Sequence, residues 1–183
     1  MRPAVAPLTP ALWPAFKDLF APNGAVGGCW CMYWRIGAAY RTRGGAANRA
    51  DFRARVEAGP PPGLLALDDG RALGWVQVTP RAELPRLDRA RNLRRVDDAP
   101  VWSLSCLYIR RGHRRQGVAT ALIHGAVAHA RAQGAVALEA YPLDAGATPG
   151  SSFTGYASTF VRAGFVEVAR HVPARPILRH ALA

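Results

Sequence analysis

The stretch Arg110-Arg111-Gly112-His113-Arg114-Arg115-Gln116-Gly117-Val118-Ala119 constrains this chain more than any other. Ahead of it, Val101–Ile109 is apolar and β-branched enough for a central strand. Behind it, apolar residues at 118, 119, 122, 123, 126, 127 and 130 recur at helical spacing. That predicts a helix over Val118–Arg131, closed by Gly134. A small-residue loop between a strand and a helix N-terminus leaves several backbone N–H groups aimed one way. Those orphan donors and the helix dipole favour an anion, and the loop arginines add fixed positive charge. A phosphorylated ligand is therefore expected here. Two phosphate loops are excluded. Gly112 and Gly117 have the spacing that opens a Walker A loop, but Val118-Ala119 stand where Lys-Ser/Thr is required. The G-x-G-x-x-G of a dinucleotide fold is also missing.

The rest of the chain supplies the frame. Thr9 is placed to cap a helix over Ala11–Phe20, with Leu12, Phe16 and Leu19 as its apolar stripe. Asn48–Glu57 reads as a second helix, ended by Gly59-Pro60-Pro61-Pro62-Gly63. Leu64–Leu67 and Ala72–Val78 read as strands joined by the hairpin turn Asp68-Asp69-Gly70. Pro80 to Asp98 is a polar, Arg-rich connection with room for one helical turn. Val136–Tyr141 is a further strand. Pro149-Gly150-Ser151-Ser152 is a loop, with Ser152 placed to cap a helix over Phe153–Ala163. Phe165–Ala169 and Pro176–Arg179 form a final antiparallel pair. Strands meeting antiparallel at both ends, with crossover helices between, imply a mixed α/β sheet in one domain spanning 1–183.

Composition narrows the class. Half of the residues are hydrophobic, so the chain is globular. No apolar run approaches the ~20 residues of a membrane span, and the N-terminus lacks a signal-like apolar segment. Three cysteines, an odd and sparse count, suit a reducing cytoplasm. The net charge of +12 comes almost wholly from arginine, with Lys17 the only lysine. These arginines are spread along the chain and not interleaved with aromatics, so a nucleic-acid partner is not expected. Cys29 and Cys31 have no matching Cys/His pair, so no metal site is expected.

Arg114-x-x-Gly117-x-Ala119 matches the R/Q-x-x-G-x-G/A signature of the GCN5-related N-acetyltransferase (GNAT) superfamily. The strand before it, the helix after it and the later Ala163-Gly164-Phe165 follow the same order. From about Leu64 to Arg179 the chain resembles that superfamily. The resemblance implies a mixed, mostly antiparallel central sheet flanked by helices, around a strand–pyrophosphate loop–helix core. It implies transfer of an acetyl group from acetyl-CoA, as co-substrate, to a primary amine of a small-molecule acceptor, directly in a ternary complex. It assigns the pyrophosphate to Arg114, Arg115, Gln116, Gly117, Val118, Ala119 and Thr120. It assigns the pantetheine arm to Leu107, Tyr108 and Ile109, with the Leu107 N–H as oxyanion donor. Members of the superfamily are often dimers.

The same resemblance exposes two departures. The tyrosine that many members carry four residues before the Gly of the Gly-Phe pair, beside the coenzyme, is Phe160 here. The glutamate that some place on the central strand is Ser103. Tyr156, one helical turn before Phe160, is the nearest substitute acid. Glu139 is a candidate base in an otherwise apolar strand, or else the partner of an arginine. Cys106 invites a nucleophile reading with His113 or His124, but a strand cysteine is usually a small buried hydrophobe. Trp30, Tyr33, Trp34 and Arg35 are candidates for the acceptor pocket, the alternative being core packing. The empty acid and base positions also allow a CoA-binding module that does not turn over.

Overall fold

The structure, a computed structural model, describes residues 3–22, 24–146 and 153–182. Among these, seven strands form one sheet in the order β1 (Ala4–Pro7), β2 (Gly63–Asp68), β3 (Arg71–Pro80), β4 (Trp102–Ile109), β5 (Ala137–Ala140), β7 (Arg175–Ala181), β6 (Val166–Val172). Every pairing is antiparallel except β4 with β5. The predicted mixed, mostly antiparallel sheet is the observed one. β1 went unnoticed in the sequence because Pro3 and Pro7 bracket a run of only three residues.

Alternation along the strands sends side chains to two cores. Leu64, Ala66, Val76, Val78, Leu104 and Leu107 face α6 (Val118–Ala132), whose Leu122, Ile123, Ala126 and Ala130 are fully buried against them. Leu65 and Trp75 face the other side, where α1 (Trp13–Phe20) and α4 (Gly45–Ala58) bring Phe16, Phe20 and Phe52. Each of these large rings, once out of water, contributes about 1.5–3 kcal/mol.

Several predicted boundaries move for identifiable reasons. Pro10 opens a 3-10 turn over Pro10–Leu12, so α1 begins only at Trp13 and the Thr9 side chain caps nothing. The Arg-rich connection holds α5 (Pro85–Arg89) between two 3-10 turns. The predicted loop 149–152 and the Ser152 cap lie outside the described residues. The helix expected over Phe153–Ala163 shortens to α7 (Ala157–Arg162). Gly155, at φ 75°, breaks it, and Tyr156 sits ahead of it as an extended N-cap residue bridged to Leu143. Tyr156 is therefore not a turn earlier on the same helix face as Phe160.

Between α1 and α4 the chain folds as two short helices, α2 (Tyr33–Ile36) and α3 (Ala39–Arg43). Asn48, fully buried on α4, donates to the carbonyls of Gly28 (2.8 Å) and Tyr40 (2.7 Å). Such bonds are worth about 1 kcal/mol each, and here they pin both ends of the segment that walls the site. A Cβ on Gly28 would lie 2.8 Å from the Gly45 Cα, so only glycine allows this approach.

Candidate active site

β4 is paired on both sides only along its first half. Trp102, Ser103 and Leu104 pair with Leu138, Glu139 and Ala140, and β5 then ends. From Ser105 to Ile109 the strand has β3 on one side and, among the described residues, no strand partner on the other. A register shift opposite Gln77/Val78 marks a bulge here. The Arg110 N–H donates to Leu73 O (2.9 Å), toward β3. Backbone polar groups alternate along an extended strand. The N–H groups of Ile109 and Leu107 therefore face the open side, where an extended amide chain can pair with them.

The loop beyond β4 is built from backbone. Gly112 (φ 92°), Arg115 (φ 62°) and Gly117 (φ 81°) all adopt left-handed conformations, which turns successive N–H groups toward one concave surface. Gly117 is the N-cap of α6, with no side-chain capping bond. From Arg114 to Thr120, none of the N–H groups has an acceptor among the described residues. The Gln116 amide braces the turn by donating to Gly112 O (3.0 Å). Arg111, Arg114 and Arg115 are exposed and form no ion pair among the described residues. Arg110 is different, donating to Ala72 O and pairing with Asp18. The cradle fits a pyrophosphate, and the open edge of β4 fits a pantetheine arm.

On the other face of β4 a cavity of about 500 Å³ opens beside Cys106. Tyr33 and Trp34 line it, together with Tyr40, Gln77, Phe153 and Thr154. Trp30 does not. Its ring stacks on Trp13 and Phe20 in the aromatic core, at 3 % exposure. Arg35 is also placed elsewhere, buried with Nη1 3.0 Å from Glu83. All three cysteines border the cavity. Burial pushes the Cys29 thiol up to about 11 and raises that of Cys31 as well, so neither is a thiolate at neutral pH.

Of the two readings of Glu139, the contacts match the ion-pair partner. Its Oε1 accepts from Arg179 Nη2 (2.7 Å), and its Oε2 accepts from Tyr141 Oη (3.1 Å) and lies 3.4 Å from Arg81 Nη1. Arg81, nearly inaccessible, also holds Asp88 and donates to Leu93 O and Tyr141 Oη. Burial alone would lower the Arg81 pKa, but Tyr141, Asp88 and Glu139 outweigh it and the guanidinium is held more firmly protonated. Burial, followed by the Glu139 charge, raises the Tyr141 hydroxyl above its ordinary range. Ser103 closes the set with a 2.7 Å bond to Tyr141 Oη. This network ties β4, β5 and β7 to the connection after β3, and neither Glu139 nor Ser103 lines the cavity. Phe160 is fully buried against Phe165 in the α6-side core, not at a coenzyme surface. Tyr156 remains 38 % exposed, next to Gly155, where an added Cβ would lie 3.2 Å from the Leu107 side chain.

The spacing of the sequence did not point to Tyr40, Gln77 or the five cavity arginines, Arg41, Arg86, Arg89, Arg91 and Arg175. The one available signal was the spacing Arg86-x-x-Arg89-x-Arg91 in the polar connection from Pro80 to Asp98. Among the described residues, no group of three or more His, Cys, Asp or Glu side chains could hold a metal ion. Among the described residues, no helix is long and apolar enough to cross a membrane.

Solved structures share this fold. One is described as histone acetyltransferase HPA2 and related acetyltransferase, from Corynebacterium glutamicum. It is 23 % identical, with 100 % of this chain and 98 % of that one covered at a TM-score of 0.62. PaiA N-acetyltransferase from Thermoplasma acidophilum, in complex with coenzyme A, is 11 % identical with 99 % of each chain covered and a TM-score of 0.58. YncA, a putative acetyltransferase from Salmonella typhimurium with acetyl-CoA, is 15 % identical, covering 100 % and 95 %, with a TM-score of 0.57. At these identities the likeness concerns the fold. A comparison with curated proteins finds no match. The model of the acetyltransferase (GNAT) family matches residues 29–149, more than half of the chain and including the loop and the open edge of β4, and the chain belongs to that family.

Proposed function

We propose that this protein transfers an acetyl group from acetyl-CoA to a primary amine of a small acceptor, directly within a ternary complex. The observation that supports this best is the junction at β4. Its open edge and the unpartnered N–H groups of 114–120 lie on one side, and a cavity reaches Cys106, next to Leu107, on the other. Acetyl-CoA supplies a thioester, whose C–S bond breaks as the N–C bond forms, the proton lost by nitrogen balancing the thiolate. The Leu107 N–H donates to the developing oxyanion, a contribution of roughly 3 kcal/mol in comparable sites. Gly117, Val118 and Ala119, with Thr120, hold the pyrophosphate, and Arg114 and Arg115 add charge. Tyr156 is assigned as the acid that protonates sulfur. Three free thiols suit a cytoplasmic setting.

A second reading has its own support. Phe160 and Ser103 are both buried and non-acidic where relatives place acid and base, which favours a CoA-binding module without turnover. Thiol release from acetyl-CoA across a panel of amines separates the two. Sustained release above slow hydrolysis establishes transfer. Binding of acetyl-CoA with no release by any amine establishes the module. In the first case Tyr156→Phe lowers kcat by about a hundredfold with acetyl-CoA affinity unchanged.

A further inference from the structure

The chain carries 12 acidic residues against 24 basic ones, so unpaired arginines are expected somewhere. Their distribution is not even. Arg35, Arg43, Arg53, Arg55, Arg81 and Arg179 each meet a carboxylate. The five arginines of the cavity do not. Arg41, Arg86, Arg89, Arg91 and Arg175 form no ion pair among the described residues, and the undescribed positions contain no Asp or Glu. Among the described residues, no carboxylate lines the cavity either.

Arg175 is the most telling of the five. It is half-buried, at the start of β7, and its Nη1 donates only to neutral partners, Tyr141 O (2.9 Å) and Thr154 Oγ1 (3.2 Å). Burial lowers its pKa, and among the described residues no counter-ion offsets that cost. Gln77 gives a second, independent sign. It is fully buried, lines the same cavity, and neither its Oε1 nor its Nε2 has a partner among the described residues. A buried amide left unpaired costs about 1–3 kcal/mol unless something at the site satisfies it. The aromatic part of the wall is equally ordered. Tyr33 packs edge-on to Trp34 and to Tyr40, and the Arg86 guanidinium lies 6.0 Å above the Tyr33 ring. None of residues 110–120 lines this space, so its arginines are separate from those of the loop.

We infer that the acceptor is a small primary amine bearing a carboxylate beside an apolar or aromatic body. The inference rests on the acetyl-transfer reading of the same cavity. Arg175, with the Arg86–Arg89–Arg91 cluster, takes the carboxylate; Tyr33, Trp34 and Tyr40 take the apolar body; and Gln77 holds a polar atom between. The same field disfavours a second positive charge, so the bound nitrogen loses its proton more readily and acts as a nucleophile without a dedicated base. That accounts for an acceptor face from which Glu139 is withdrawn. A polycationic acceptor such as spermidine meets only repulsion.

Two measurements test this. In the first, phenylalanine and 4-(aminomethyl)benzoate are compared as acceptors with phenethylamine and 4-methylbenzylamine, their counterparts without the carboxylate. The carboxylated member of at least one pair is expected to show kcat/KM higher by roughly tenfold or more, as for a charge-assisted contact. The advantage is expected to disappear in Arg175→Met and to shrink in the exposed double variant Arg89→Ala/Arg91→Ala, which spares the fold. Equal or better use of the uncharged partners, or of spermidine, overturns the inference while leaving acetyl transfer standing. The second measurement needs no turnover: calorimetric binding of 3-phenylpropionate and of 3-phenylpropanol to the CoA-loaded protein. Tighter binding of the carboxylate, lost in Arg175→Met, supports the inference. Equal binding of the two, or a preference that Arg175→Met leaves intact, overturns it even if no amine is acetylated.

Discussion

The loop at 110–120 and the cavity beside Cys106 meet at β4 but are made of different material. The loop works through its backbone. Its unpartnered N–H groups are consecutive in sequence, and their direction follows from three left-handed residues and one helix start. The cavity works through side chains from six separate places, with Tyr33, Gln77, Arg86, Cys106, Phe153 and Arg175 brought together only by the sheet and its connections. A backbone site tolerates exchange of most side chains and fails at glycine. A side-chain site can be retuned one residue at a time, which suits a scaffold that keeps one donor and changes acceptors.

That difference makes quantitative demands. The largest effect is expected away from both regions, in the ion pairs that set the spacing of β4, β5 and β7. Glu139→Ala takes the buried carboxylate from between Arg81 and Arg179, leaving them only the partly exposed Asp88 and Asp97, and chemical denaturation should show a loss of about 3 kcal/mol. A change under about 1 kcal/mol would mean that the network holds nothing in place. Next comes the loop. Gly117→Glu forces a Cβ into φ 81° and sets a carboxylate against the phosphates. Acetyl-CoA affinity by calorimetry should fall by about a hundredfold, while the strained backbone lowers the melting temperature by only about 2–8 °C. The surface charges of the loop should matter less. Arg114→Ala and Arg115→Ala are each expected to weaken acetyl-CoA by a few-fold, and the effect should fade as salt rises. If either matched Gly117→Glu, the site would be a side-chain site like the cavity. The smallest effect is a pH slope from α6. Burial lowers the His129 pKa below its ordinary 6.5, so the unfolded chain binds the proton first as pH falls. Stability is full above about pH 6.5 and declines below it, and His129→Gln should flatten that part of the curve.

The same contrast explains what could be read in the sequence. The loop, β4 and α6 were legible because strand, turn glycines and helical spacing are local. The hairpin of β2 and β3 was legible for the same reason. Tyr33 and Trp34 were placed in the pocket, while Trp30 and Arg35, from the same run, went elsewhere, since which way a side chain points in α2 depends on turns at Trp30 (φ 46°) and Cys31 (φ 60°). Glu139 offered two readings, and only the pairing of β5 with β7 brings Arg179 beside it to decide. Arg175 was unreadable. Nothing near it in sequence shows that no described residue brings a carboxylate to it.

Thiol release from acetyl-CoA in the presence of a carboxylated aromatic amine is the most direct test of acetyl transfer at β4. The wild-type protein should release CoA continuously, with acetylated amine formed in equal amount, and Gly117→Glu should abolish release at the same acetyl-CoA concentration. Tight binding of acetyl-CoA with no release above hydrolysis, for this and every other amine tried, would contradict it.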